Sequence, residues 1–318
     1  MSKNKISICI ATYNGEKYLK DQLDSLVKQS VRPYEVILQD DCSIDKTVEI
    51  AKTYKKKLNL NIIVNEVNLG FKKNFELVLS KATGDLIAPC DQDDIWSENK
   101  LEVLSSQIDN YSLIYSNSLL IDSDGNSLNK RISDRLKNNF TDTDTPINFI
   151  YANSISAHAM LFKKELLKYI FPFPKLMYFD AWIAAVASSF EGVKYVDIDL
   201  VKYRQHDNNS IANKKLIKYS ISEQIFLKTK KKLNQNKNTM ATIDELLSIK
   251  KIKDKDLYRL LELRSHLESF EDHWFNFRLF VFNLKNRNDF YLITKNNRFI
   301  ISFKKSIGYK LYKLAPFL

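Results

Sequence analysis

Glycine is scarce in this chain of 318 residues, limited to Gly15, Gly70, Gly84, Gly125, Gly192 and Gly308. None of these completes a G-x-G-x-x-G or G-x-x-x-x-G-K-[ST] spacing. That excludes both the dinucleotide fingerprint and the phosphate loop, and it disfavours a dehydrogenase. A nucleotide bound here would have to be held by other means. Proline is equally sparse while aliphatic and aromatic residues are plentiful, which excludes low-complexity disorder. The three cysteines, Cys9, Cys42 and Cys90, form no C-x-x-C pair and no even-numbered framework. Free thiols in a reducing compartment are expected, with Cys42 and Cys90 as small strand-end residues rather than nucleophiles. No run approaches the ~18 uninterrupted apolar residues of a membrane span. Met1 to Lys5 leads directly into a strand-like run, so no signal peptide is expected.

What is present is an alternation of short β-branched runs with amphipathic helical periods, the pattern of βαβ units and a mostly parallel sheet. Strands are expected at 6–10, 34–39, 61–64 and 86–90. Leu19, Leu23, Leu26 and Val27 give one helix a buried face, and Phe71, Phe75, Val78 and Leu79 give another. A helix is expected over about 45–57, and Leu101, Leu104 and Ile108 carry one more. Residues 112–121 read as strand and turn. The polar stretch 123–145 reads as a mobile loop, a lid or acceptor gate. Strand is then expected over 153–162, a buried helix over 181–190 and strand over 195–203. Beyond about Ala212 the pattern changes to Lys-rich helices, which sets the expected domain cut: 1–212, with halves at about 1–121 and 122–212, and a helical, basic extension over 213–318.

Asp91, Asp93 and Asp94 put three carboxylates within four residues, just after the apolar run Leu86–Cys90. Such a cluster repels itself unless a cation neutralises it. The carboxyl end of a strand is also where an α/β sheet places its ligand. Mg²⁺ or Mn²⁺ suits the role, since either takes a few carboxylate oxygens together with phosphate oxygens. A solvated acidic turn with Asp94 or Ser97 capping the next helix would account for the same residues.

Five segments carry a more specific signal: Ile-Ala-Thr-Tyr-Asn-Gly at 10–15, Gln-Asp-Asp-Cys-Ser at 39–43, Asn-Leu-Gly-Phe-Lys-Lys-Asn-Phe at 68–75, Asp-Gln-Asp-Asp-Ile-Trp at 91–96, and Tyr-Arg-Gln-His-Asp at 203–207. In this order they resemble family-2 glycosyltransferases of the GT-A fold, in particular bacterial rhamnosyltransferases of cell-surface polysaccharide synthesis. The resemblance implies an α/β fold with a Rossmann-like, mostly parallel mixed sheet flanked by helices. It implies an inverting, metal-dependent transfer of a sugar, with Mg²⁺ or Mn²⁺ as cofactor. Ala11, Thr12, Tyr13 and Asp41 would then meet the donor, with Asp40 in support. Gly70 would let the backbone approach the donor, Lys73 would meet a phosphate or the sugar, and Asp91 and Gln92 would face the ribose. Asp93, Asp94 and His206 are the implied metal ligands. Asp180, between Phe179 and Ala181 at a helix start, is the candidate general base; an acceptor hydroxyl needs its proton removed as it attacks. The family more often shows His-Asp-Trp here, so Phe179 and Ala181 depart from its pattern. His158 and Trp182 are the candidate acceptor contacts.

The motif wording points to dTDP-L-rhamnose as donor, with a UDP-hexose as the alternative. The implied acceptor is a saccharide linked to a polyprenyl diphosphate. The net charge of +11 is concentrated in the tail: Arg278, Lys285, Arg287, Lys295, Arg298, Lys304, Lys305, Lys310 and Lys313 stand against Asp289 alone from residue 275 onward. Phe299, Ile300, Phe303, Ile307, Leu311 and Leu314 share helical spacing there. This suits an anionic membrane surface or equally a second subunit in a homodimer. The expected location is cytoplasmic, peripheral on the inner face of the cell membrane. A basic nucleic-acid-binding protein is the reading from another class. The charge is woven into no recognisable nucleic-acid module and the candidate site is acidic, so no nucleic-acid partner is expected. A nucleotide-sugar-binding scaffold without catalysis is opposed by the presence of Asp93 and Asp180.

Overall fold

The computed structural model describes residues 4–136, 140–151, 153–206, 234, 236–249, 251–269, 275–290, 302 and 305–306. Four short apolar runs build the first half of the sheet. Strand β1 (Ile6–Thr12) lies between β2 (Glu35–Asp40) and β4 (Leu86–Cys90), and β3 (Leu60–Val64) pairs with β2, all parallel. Parallel strands need crossovers. These are α1 (Leu19–Val27), α2 (Thr47–Lys52) with α3 (Lys55–Leu58), and α4 (Phe71–Ser80). The single helix expected over 45–57 is therefore two. The Thr53 hydroxyl turns back onto the Ile50 carbonyl at 2.7 Å, and the Thr53 and Tyr54 amides close tight turns there.

The second half is mixed. The short β5 (Ile95–Trp96) and α5 (Lys100–Gln107) lead to β6 (Leu113–Ile121), β7 (Ser127–Arg131) and α6 (Ile132–Leu136). Then come α7 (Asn148–Tyr151), a 3₁₀ turn (Ala157–Ala159), β8 (Met160–Lys163), α8 (Leu167–Ile170), α9 (Phe179–Ser189) and β9 (Val193–Arg204). The strand order is β3-β2-β1-β4-β8-β6-β9-β5, with β7 on β6. Because β1, β2 and β4 run the same way, their carboxyl ends bring residues 13–15, 41–43 and 91–94 to one edge.

Two expectations change. Residues 123–145 are not one mobile loop: they hold β7 and α6, with Gly125 (φ 90°) at the hairpin turn and Arg131 bonded to Asp197 and Asp199 on β9. Residues 153–162 are strand only from Met160, because the Asn153 side chain closes a turn on Ile155 and the 3₁₀ turn follows.

Apolar side chains cover both sheet faces. On one face α1, α2, α3 and α5 contribute Leu19, Leu23, Ala51, Leu58, Leu101 and Leu104. On the other, the Ala-rich α9 and α4 share a core with α10 (236–247), α11 (Asp254–Glu268) and α12 (Phe277–Lys285) through Ile243, Leu246, Leu260, Leu263, Leu279 and Phe282. A short α13 (Arg287–Phe290) follows. The described part of the helical extension is thus built onto the sheet, and Thr145 Oγ1 donates to the buried Asp256 at 2.8 Å across that junction. The expected cut near 212, and the tail helix over 299–314 apart from residues 302, 305 and 306, lie outside the described residues. Among the described residues no helix is long and apolar enough to cross a membrane.

Candidate active site

Asp40 ends β2 beside Thr12 of β1 and is fully buried. Its carboxylate accepts the Thr12 hydroxyl at 2.7 Å, the Ser43 hydroxyl at 2.7 Å and the Ser43 N–H at 2.8 Å. Both side chains expected to meet or support the donor are therefore spent on shaping the loop. Asp41 is also enclosed: it accepts from the Asn65 amide and from the Leu69 and Gly70 N–H groups, each at 2.8 Å. It organises the loop before α4. Gly70 there has φ 85° and open space around it, so glycine is needed for the backbone angle rather than for room. Asn14 (φ 46°) and Cys42 (φ 65°) also adopt the left-handed region, so the two strand-end turns are held against local preference. Ala11 is partly buried inside β1.

Tyr13 projects from the same edge with its ring half exposed, and its backbone is zipped to the acidic loop. The Gln92 amide accepts the Tyr13 N–H at 2.9 Å and donates to the Tyr13 carbonyl at 3.1 Å. Gln92 reaches in because residue 15 has no side chain: a Cβ on Gly15 would stand 2.3 Å from Gln92 Oε1.

The three acids of the 91–94 loop part company. Asp94 is fully buried; its Oδ1 accepts the Arg204 N–H at 3.0 Å, while its Oδ2 has no hydrogen-bond partner. His158 Nδ1 stands 3.4 Å from both Asp94 Oδ2 and Asp91 Oδ2, and its Nε2 meets Ser118 Oγ at 3.1 Å. His158, expected at the acceptor, is 3 % exposed and lies beneath the acids with its ring against Tyr203. Asp93 faces the other way, its Oδ2 2.9 Å from His206 Nε2, with both side chains partly open to solvent. The His206 ring lies 4.8 Å from that of Tyr18, and the buried Arg204 guanidinium lies 4.7 Å from the same Tyr18 ring. Arg204 ties the loop down from behind, bonding the Asp93 carbonyl, the Ser123 carbonyl and Asp21 at 2.9 Å each.

The electrostatics follow from burial. Asp94 is pushed up to about 8 by desolvation, with the neighbouring Asp93 and Asp91 adding to the rise and His158 opposing it. Asp93 is raised by burial and by Asp91, against the pull of His206. Burial would lower His158, but Asp94 and Asp91 hold it above the ordinary histidine value. Lys100, fully buried, donates to the His158 carbonyl at 2.5 Å, and desolvation brings it down to about 7.

Two ligand sets could take a divalent cation. Asp91, Asp94 and His158 bring one ligand atom each within 4.8 Å of one another. Of this set Asp94 and His158 are closed to solvent, and only Asp91 is partly open. Asp93 and His206 fit better: a hard oxygen and an imidazole nitrogen, adjacent and accessible, on a carboxylate whose raised proton affinity calls for positive charge. Asp94, expected as a ligand, belongs to the first set and also anchors the loop through the Arg204 N–H.

Asp180 stands in the first turn of α9, partly buried, with Oδ1 accepting the Ala181 N–H at 2.7 Å. Burial raises it to about 6; the Ala181 N–H opposes this, Asp91 pushes it further up and His158 pulls it back. Asp91 and His158 thus both act on the carboxyl of the candidate base. Trp182 does not join it: the ring is 5 % exposed in the core and its N–H donates to the Ile170 carbonyl at 2.9 Å. One helical turn from Phe179, its side chain is turned inward. Lys73 is half exposed and pairs with Glu76, while Lys72 donates to the Pro174 carbonyl and, at 2.8 Å, to that of Met177.

Arg204, Gly15 and Lys100 were not among the sequence-predicted site residues. Arg204 lies in a quoted motif, and a lone arginine two residues before His206 was the available signal. Nothing in the local sequence marks Lys100, which is buried by tertiary contacts.

Comparison with known proteins adds to this geometry. The model of the family described as glycosyl transferase family 2 matches residues 7–171. An uncharacterized glycosyltransferase of Methanocaldococcus jannaschii, MJ1057, is 30% identical over 233 residues, covering 69% of this chain and 78% of that protein. The poly(ribitol-phosphate) β-N-acetylglucosaminyltransferase TarS of Staphylococcus aureus is 36% identical over 110 residues, 34% of this chain but only 19% of TarS. The crystal structure of TarS 1–349 with UDP-GlcNAc superposes with a TM-score of 0.62 at 19% identity, covering 98% of this chain and 91% of that one; this establishes the GT-A architecture of the sheet.

Proposed function

Because this chain belongs to glycosyl transferase family 2, we propose that it moves a sugar from a nucleoside diphosphate donor to an acceptor hydroxyl with inversion. What supports this reading is the Asp93–His206 contact at 2.9 Å at the end of the β4 loop, together with an Asp180 carboxyl at the start of α9 that burial and Asp91 raise. Asp180 takes the proton of the acceptor hydroxyl as that oxygen bonds to the anomeric carbon. The bond from that carbon to the diphosphate oxygen breaks, and its electron pair leaves with the nucleoside diphosphate. Attack from the face opposite the leaving group inverts the centre, and no covalent enzyme intermediate is needed. Asp93 and His206 would hold Mg²⁺ or Mn²⁺, which supplies positive charge for the departing diphosphate. Tyr13 and Asp91 border the space where the nucleoside would lie, and Gln92 fixes that border.

The donor is an activated hexose. The motif wording supports dTDP-L-rhamnose; the identity to TarS supports a UDP-N-acetylhexosamine as the second reading. The acceptor is a saccharide of cell-surface polysaccharide synthesis, carried on a polyprenyl diphosphate. The basic tail would bring the enzyme to the inner face of the membrane. Pairing of two copies through that tail is the competing use of the same residues.

A thermal-shift screen of nucleotide sugars with and without Mn²⁺ tests the reading. A selective native-state ligand at a hundred times its Kd stabilises by about 2.7 kcal/mol, enough to shift the melting temperature by several degrees. One donor is expected to do so only with metal. Equal shifts with and without Mn²⁺, or none with any nucleotide sugar, would overturn the assignment of Asp93 and His206.

A further inference from the structure

The loop that leads into α9 is pinned from below yet leaves Leu176 and Tyr178 in water. Lys72 of α4 caps the Pro174 and Met177 carbonyls, and Glu76 accepts the Phe173 N–H at 2.8 Å. Phe75 stacks on Phe179 at 4.6 Å and Phe173 packs on Phe179 at 5.4 Å, fixing the loop from below. Around this anchor Leu176 is 51 % exposed, Tyr178 65 % and Phe71, beside Lys72, 51 %. A loop pinned by three hydrogen bonds and two aromatic contacts gains nothing for its own folding from presenting Tyr178 and Leu176 to solvent, and Phe71 of α4 is exposed as well. Tyr178 is the N-cap residue of α9, two positions before Asp180.

On the transfer reading above, the acceptor hydroxyl must reach Asp180, so the body of the acceptor lies along this rim. We propose that Phe71, Leu176 and Tyr178 form the acceptor platform and that its occupant is a neutral saccharide, seated by a sugar-ring face on the aromatic rings. The apolar C–H face of a pyranose matches an exposed aromatic face, and flat rings lose little side-chain freedom on contact. Charge argues for the same occupant. Lys72 is spent on carbonyls and Lys73 on Glu76, which leaves Lys175 as the exposed ammonium of the 172–178 loop. A poly(ribitol phosphate) chain carries an anion at every repeat and no pyranose ring in its backbone, so among the described residues the 172–178 loop offers it a single ammonium, Lys175, and no matching face.

The test uses the full chain and two readouts. Binding to an array of neutral oligosaccharides and to poly(ribitol phosphate) is measured directly, and transfer is measured from UDP-GlcNAc and dTDP-L-rhamnose. Tyr178→Ala and Phe71→Ala are each expected to weaken oligosaccharide binding and raise the acceptor KM about tenfold, with a much smaller change in kcat, and Tyr178→Phe to restore both. Unchanged oligosaccharide affinity in both alanine variants, or wild-type preference for poly(ribitol phosphate), would overturn the platform. Oligosaccharide binding that depends on Tyr178 without turnover of any donor would uphold the platform and refute the transfer reading instead.

Discussion

The two halves of the site are fixed by opposite means. On the donor side, strand-end carboxylates are consumed by short internal hydrogen bonds: Asp40 by Thr12 and Ser43, Asp41 by Asn65, Leu69 and Gly70, Asp94 by the Arg204 N–H. Little polar capacity is left over, and what faces outward is Tyr13, Asp91, Asp93 and His206. On the acceptor side the base rides on an apolar helix packed in the core, and the loop before it is secured by lysine-to-carbonyl bonds and aromatic stacking. The difference teaches that acidity in the motifs serves architecture first. A cluster of aspartates in sequence need not be a cluster of ligands in space.

Asp180→Asn should break the acceptor half alone and has the largest expected effect. Loss of a general base costs about 10²–10⁴-fold in transfer, read from product formation, while metal-dependent donor stabilisation persists. The wild-type pH profile sharpens the same point. With Asp180 raised to about 6, the base is protonated at lower pH, so kcat/KM should fall tenfold per unit below that value. Stability should move the other way. A carboxyl whose folded pKa is raised favours the fold fully below its ordinary unfolded value, and that contribution is lost as pH rises through about 6. Activity rising and this group's stabilisation falling across pH 4–6, both erased in Asp180→Asn, is the expected signature. Parallel movement of the two would remove Asp180 from its role.

Next in size is His158→Gln, aimed at the donor half from beneath. Removing one member of a buried charged group leaves the rest uncompensated, at a cost of about 3–5 kcal/mol, measurable by urea unfolding. A change under 1 kcal/mol would mean that His158 does not balance Asp91 and Asp94. The smallest expected effect is Gly70→Ala. Among the described residues nothing stands within 4 Å of the added Cβ, so only the backbone angle (φ 85°, ψ 152°) is penalised, by about 1–3 kcal/mol. The donor loop should loosen while acceptor KM holds; a shift in acceptor KM would show that the halves are mechanically joined through α4.

The sheet was legible because its strands are short apolar runs between helical periods, and Ile6–Thr12, Glu35–Asp40 and Leu86–Cys90 fall within a residue or two of expectation. Tyr13, Asp93, His206 and Asp180 were legible as residues on strand ends or a helix start, where chain direction decides their position. Thr12, Asp41, Asp94, His158 and Trp182, expected as donor, metal or acceptor contacts, are buried. Their side chains are claimed by partners 12 to 110 positions away, such as Ile170 for Trp182, Asn65 for Asp41 and Arg204 for Asp94, and local pattern holds no trace of such pairings. The same holds for 123–145, whose polarity suggested a lid although Arg131 clamps its hairpin to β9.

The helices after residue 236 bear on how the molecule could be taken apart. Leu246, Leu263 and Phe282 belong to the same oily layer as Ile183 and Val186 of the helix carrying Asp180, and the hidden Thr145–Asp256 bond stitches across the seam. Trimming the chain after β9 to isolate a minimal enzyme would strip that layer bare and expose it to self-association. The fragment would lose the backing that keeps its proton acceptor upright before it lost any residue of the cleft itself.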